Sequence, residues 1–231
     1  MSDHRSARSQ RDAEGDLRHV RMVVKSTAMI GGPLFLISVI LHPARDGHSI
    51  AAGTGWYAFT HSVEAISLLV QATCLAGVLA VGMRGFGRRG LTAVYTALIG
   101  TMFWFGLIVF DGAHNPVTAR YAPELVHTSA DLDIEGGVIV LAANVLFPLG
   151  YVLLALLLNR NGQRWAGLLL GLGGVVYALG GTVTLFGLGP HSMITSVLEI
   201  AGAAPYALGY VLLGRAFGPD QHMPAGSARA A

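Results

Sequence analysis

Cysteine is almost missing from this chain. Cys74 is the only one, which excludes an intrachain disulfide and a paired-cysteine metal or redox centre. Charge is scarce as well: 12% of the 231 residues are Asp, Glu, Lys or Arg, about half the share of an ordinary soluble domain. Strand-length alternation with regular turn signals is absent, which argues against a membrane β-barrel. The glycine run Gly171-Leu172-Gly173-Gly174 follows no strand and lacks the lysine of a phosphate-binding loop, so it reads as close helix packing in lipid.

What is abundant is apolar surface. Hydrophobic residues make up 53% of the chain, with 31 glycines, the composition of an all-α polytopic membrane protein. Six apolar stretches run over about 20–41, 57–83, 91–110, 136–158, 165–188 and 193–213. Each approaches the roughly 20 residues that cross a ~30 Å hydrocarbon layer, and the spacing predicts a transmembrane domain over 20–215 between polar, disordered tails at 1–19 and 216–231. The first tail is too long and too mixed in charge for a signal peptide, so the first helix is expected to stay as an anchor.

Thirteen of the fifteen basic residues fall in the tails, in the second and fourth connections or at the helix ends beside the tails, leaving Arg45 and Arg120 on the other side. By the positive-inside rule both termini are expected in the cytoplasm. The net charge of +2 is then the sum of a basic inner face and an outer face rich in acids, which gives no support to nucleic-acid binding. Neither tail carries a recognisable motif.

The outer connections, 43–56 and 111–135, are the longer ones, and they are bordered by the residues that carry chemistry. Each odd helix ends near a His and a Pro (His42-Pro43, His114-Asn115-Pro116, Pro190-His191), and each even helix has an acid at or below its outer start (Glu64, Glu135, Glu199). Three hairpins of one plan would bring these groups around a common outer pocket. A sequence echo, 149–154 against 208–213, supports an internal repeat.

His61 and Glu64 are three apart and share a helix face. An intramembrane carboxyl is costly unless it faces protein or water and has a partner, so Glu64, Glu199 and the helix-ending Asp111 are candidate catalytic groups, with His61 to tune or shuttle a proton. Trp56, Phe59, Trp104 and Phe110 are candidate lining for a substrate pocket. Gln71 and Asn144 are uncharged groups able to bond between helices. The inner half of the bundle reads as apolar and small, which favours a pocket closed on the inner side. The alternative reading of the same end is a metal or haem site built from His42, His61, His114 and His191, and a third is an accessory subunit without catalysis. The sequence names no cofactor.

The pattern Leu41-His42-Pro43, then Trp56, then His61 resembles uncharacterised six-helix membrane proteins of high-GC Gram-positive bacteria. The resemblance spans the first two helices and, more loosely, the hairpin layout; it implies the fold and a bacterial inner membrane, and no activity. Membrane-integral terpene cyclases are comparable in size and protonate lipophilic substrates with intramembrane acids, but none of their motifs aligns here. The expectation is therefore an enzyme embedded in the bilayer that works on a lipid or isoprenoid-like substrate.

Overall fold

The computed structural model describes residues 3–44, 46–82, 86–126, 134–185 and 193–217. They form seven α-helices: α1 (Asp3–Ile40), α2 (Gly47–Ala52), α3 (Thr54–Gly82), α4 (Gly87–Tyr121), α5 (Ile134–Arg160), α6 (Arg164–Leu185) and α7 (Met193–Ala216), with a 3-10 turn at Pro123–Leu125. All but α2 are long and apolar enough to cross a membrane. Their outward faces carry Ile66, Val138, Leu172 and Val197, each more than half exposed. An apolar belt of this extent is stable against lipid and not against water, so the chain is a multi-pass membrane protein.

The six long helices close into a ring. Each packs against its sequence neighbours, and α7 returns to pack against α1. The end where α1 finishes and α3 begins carries His42 and Tyr57 and is called the histidine end here. Lys25, Arg88, Arg89, Arg160, Arg164 and Arg215 gather toward the other end.

Two boundaries differ from the sequence reading. Helix α1 starts at Asp3 rather than near Val20, because the polar residues before the apolar span include good helix formers such as Ala, Arg, Gln and Glu. Helix α4 does not stop at Asp111 but continues through Pro116 to Tyr121. Pro33, Pro148 and Pro205 likewise lie inside α1, α5 and α7, since membrane helices tolerate an interior proline. Asp111 is thus an interior helix residue. Of the tail expected at 216–231, residues 218–231 lie outside the described residues, as does His191.

The hairpins share a register. Glycine allows the close approach in each: a Cβ on Gly31 of α1 would lie 2.9 Å from Gln71 of α3, one on Gly100 of α4 would strike the backbone at Leu146 and Phe147 of α5, and one on Gly173 of α6 would strike Tyr206 of α7. Four residues beyond these glycines stand Phe35, Trp104 and Tyr177, all buried. Seven residues before the contacted partners stand Glu64, Val140 and Glu199. The acid expected of the middle hairpin at Glu135 is therefore out of register, and a valine occupies the matching place. The sequence echo has a structural meaning too, since its tyrosines, Tyr151 and Tyr210, meet hydroxyl to hydroxyl at 2.6 Å.

Candidate functional site

At the histidine end α3 and α4 are held together by one polar cluster. Asp111 receives the Tyr57 hydroxyl at 3.0 Å on Oδ1 and the Asn115 amide on the same oxygen, while His61 Nε2 lies 2.9 Å from Oδ2. His61 comes this close because Gly112 has no side chain: a Cβ there would stand 2.5 Å from the His61 Cβ. The imidazole also stacks on Tyr57, with ring centroids 4.1 Å apart. Above the cluster, α2 is capped at its N-terminus by Asp46, which accepts from the Ser49 amide at 2.8 Å. Buried Ile50 of α2 packs with Tyr57 and Ala119 and covers the tyrosine.

Hydrogen bookkeeping assigns the protons. His61 Nδ1 lies 2.9 Å from the Tyr57 carbonyl and His42 Nδ1 lies 2.7 Å from the Pro43 carbonyl. A carbonyl only accepts, so each Nδ1 carries a hydrogen. The second nitrogens face one another, His42 Nε2 to His61 Nε2, at 3.4 Å. A carboxylate suits an oxygen pair receiving three donors, and with Asp111 ionised the proton between it and His61 belongs to the imidazole. His61 is then the imidazolium, paired with Asp111 and facing the lone pair of His42. His61 is 2% exposed and Asp111 17%, while His42 is half-buried, so the pair runs from the end of the bundle inward.

One turn deeper, Glu64 is 1% exposed and accepts the Tyr177 hydroxyl at 2.6 Å on Oε1. This bond ties α3 to α6 across the ring. Glu199 of α7 is 4% exposed and packs on α6, where a Cβ on Gly180 would lie 2.7 Å from its Cγ. The adjoining residue Gly181 is covered by Trp104, whose Cη2 would be 2.9 Å from a Cβ there. Trp104 also lies against Phe147 and Tyr177, at centroid distances of 5.0 and 5.3 Å. Its indole Nε1 is the one buried side-chain polar atom among the described residues with no hydrogen-bond partner. Leaving such a donor unpaired costs about 1–3 kcal/mol.

Toward the basic end the interior is not simply apolar, in contrast to the sequence reading. Tyr206 donates to Gln71 at 2.6 Å and Gln71 donates to the Gly31 carbonyl at 3.1 Å. Thr101 gives its hydrogen to the Ala97 carbonyl, so the 3.0 Å contact to Tyr151 makes Tyr151 the donor, and Tyr210 in turn donates to Tyr151. These hydroxyls belong to residues that hydropathy counts with the apolar ones. Below them come Leu154, Leu158, Leu213, Val24 and Val78, all buried.

Of the candidate residues, His61 and Asp111 meet directly, His42 joins them, and Glu64 and Glu199 are both interior. Of the aromatic set only Trp104 lies inside. Trp56, Phe59 and Phe110 are about half exposed on the outer surface, Trp56 stacked on Phe59 and bonded to the Leu41 carbonyl at 3.0 Å. The cause is helical phase: each is one residue, or about 100°, from a side chain that faces inward (Tyr57, Thr60, Asp111).

His114 is likewise exposed, stacked on Phe110 with its Nε2 3.1 Å from the Thr118 hydroxyl. Of the three described histidines of the four-histidine set, His42 and His61 meet and His114 stands apart, and among the described residues no group of three or more His, Cys, Asp and Glu is arranged to hold a metal. Both nitrogens of His61 are engaged by Tyr57 and Asp111. Tyr57, Asn115 and Tyr177 are the site residues that the sequence reading missed. A seven-residue spacing would have found the first, since Tyr57, Glu64 and Gln71 lie on one face; Asn115 follows from Asp111 by four. Nothing local marks Tyr177. The chain matches no protein family, no curated protein and no solved structure.

Proposed function

We propose that this chain is a membrane-embedded acid–base enzyme acting on a lipophilic substrate, a lipid or an isoprenoid-like molecule, that enters the ring of helices from its histidine end. The observation that carries the reading is a buried carboxyl, Glu64, that accepts the Tyr177 hydroxyl one helical turn from a proton-bearing His61–Asp111 pair, which reaches the bundle end through His42. Acid–base work in an apolar interior needs a proton source connected to water and a separate group that faces the substrate. His42 and His61 serve as the source, with Asp111 orienting His61 rather than acting as the acid. Glu64 is the group that transfers the proton, and Glu199 stabilises positive charge developing in the substrate. The histidine end faces the outside of a bacterial inner membrane and both termini lie in the cytoplasm, following the distribution of Lys and Arg.

The test is lipid analysis of cells producing the wild-type chain or Glu64→Gln at equal membrane levels. The wild type is expected to deplete one lipophilic species and accumulate another, and Glu64→Gln to leave both at the level of cells lacking the protein. Identical lipid profiles for the two chains, with a measurable product, would refute the role of Glu64. Identical profiles with no product at all would favour an accessory subunit.

A further inference from the structure

Among the described residues the interior of the ring holds one buried side-chain donor with no partner. Trp104 is 3% exposed, its Nε1 has no partner, and it shares the register position of Tyr177, whose hydroxyl does find a partner in Glu64. The middle hairpin thus presents a hydrogen to the interior with nothing to receive it. Around it the walls are aromatic: Phe147 and Tyr177 lie against the indole, and Phe35 stands 4.8 Å from Tyr177. On α6, Gly181 lies beneath Trp104 and Gly180 beneath Glu199, so a carboxyl group and the indole sit on adjoining faces of one helix.

We infer that Trp104 is the binding residue for an uncharged oxygen acceptor, such as a ketone, ester or quinone carbonyl, on an otherwise apolar ligand. The chemistry selects the class. An indole N–H only donates, so the ligand must offer an acceptor. Aromatic walls call for an apolar body. Glu64 and Glu199 close by make an anionic ligand group costly in a low-dielectric interior, so the acceptor is neutral. This inference deepens the acid–base reading, on which it rests, by naming the functional group that the substrate carries beside Glu64.

The test uses the full chain in detergent micelles with its tryptophans labelled with nitrogen-15. The three indole signals are assigned with the variants Trp56→Phe and Trp165→Phe. The probes are 2-undecanone and undecane, matched in length and differing in one carbonyl. The ketone is expected to move the Trp104 indole proton downfield in a saturable way, with Trp56 and Trp165 unmoved, and to bind about tenfold more tightly than the alkane. Trp104→Phe, which keeps an aromatic ring in place, is expected to abolish that difference.

Equal binding of ketone and alkane, equal movement of all three indoles, or a Trp104 indole already bonded to an immobile water and indifferent to ketone would each overturn the inference. Glu64→Gln separates it from the reading beneath it. If the ketone fails to shift Trp104 while lipid turnover still depends on Glu64, the acceptor site falls and the enzyme stands. If the shift is seen in both chains and turnover does not depend on Glu64, the site stands and the enzyme falls.

Discussion

A double-mutant cycle on His61 and Asp111 tests the proton assignment at the histidine end. Asp111→Asn keeps the shape of the side chain and removes its charge; His61→Phe keeps the ring stacked on Tyr57 and removes both nitrogens. The pair is separated by 2.9 Å, with His61 2% and Asp111 17% exposed, so little water screens it. Neutral side-chain hydrogen bonds between membrane helices average about 0.6 kcal/mol, because the helices separated in the bilayer find other partners. Bonds to charged groups contribute roughly 1.5–3 kcal/mol. An imidazolium–carboxylate pair should therefore couple by about 2 kcal/mol, about 30-fold in the unfolding equilibrium, and the coupling should persist at high salt because the pair lies inside the bundle. The assay is reversible unfolding of the four proteins in mixed micelles. A coupling at or below about 0.6 kcal/mol would mean that the two groups share an ordinary neutral bond, and the assignment of charge to His61 would be wrong.

Gly112→Ala places a methyl 2.5 Å from the His61 Cβ and is expected to cost about 1–3 kcal/mol by overpacking. Gly106→Ala, two turns away on α4 with nothing within 4 Å, is expected to be neutral or to gain up to about 1 kcal/mol from helix propensity; a fall in the thermal midpoint of both would refute the close approach of α4 to α3. In the inner hydroxyl chain, Tyr151→Phe removes the acceptor of Tyr210 and the donor to Thr101, for an expected loss of about 1–2 kcal/mol. Adding Tyr210→Phe should cost little more, whereas strictly additive losses in the same unfolding assay would show that the two tyrosines do not share a bond.

The spans were legible in the sequence because a ~30 Å apolar layer leaves a long, unambiguous signal. The ends were less so. Pro116 reads as a stop, yet membrane helices tolerate an interior proline, so α4 runs on and Asp111, read as the helix end, lies within the helix. The buried acids Glu64 and Glu199 were legible from cost alone, since a carboxyl in lipid is too expensive to point outward. Their partners were not, because Tyr177 is 113 positions from Glu64 and hydropathy gives a tyrosine no sign of whether its hydroxyl has work to do. The aromatic lining was misplaced for a third reason. Trp56, Phe59 and Phe110 are adjacent in sequence to inward-facing residues, and in a helix adjacency in sequence means separation in angle.

The contact of α7 with α1 bears on how the molecule is made. Helices leave the ribosome in order, but Glu64 waits for α6 to supply Tyr177, and Gln71 waits for α7 to supply Tyr206, 135 residues later. Until then the Glu64–Tyr177 and Gln71–Tyr206 bonds cannot form, and polar groups cost most where lipid replaces protein. Of the described helices α7 emerges last, and it seals the seam, at Gly214 against the Lys25 carbonyl and Ala28. A chain stopped before Met193 is left as an open arc with two sticky flanks, a natural target for quality control, and tethering residue 217 to the start of α1 while cutting at Gly162 should change the order of assembly without changing what is assembled.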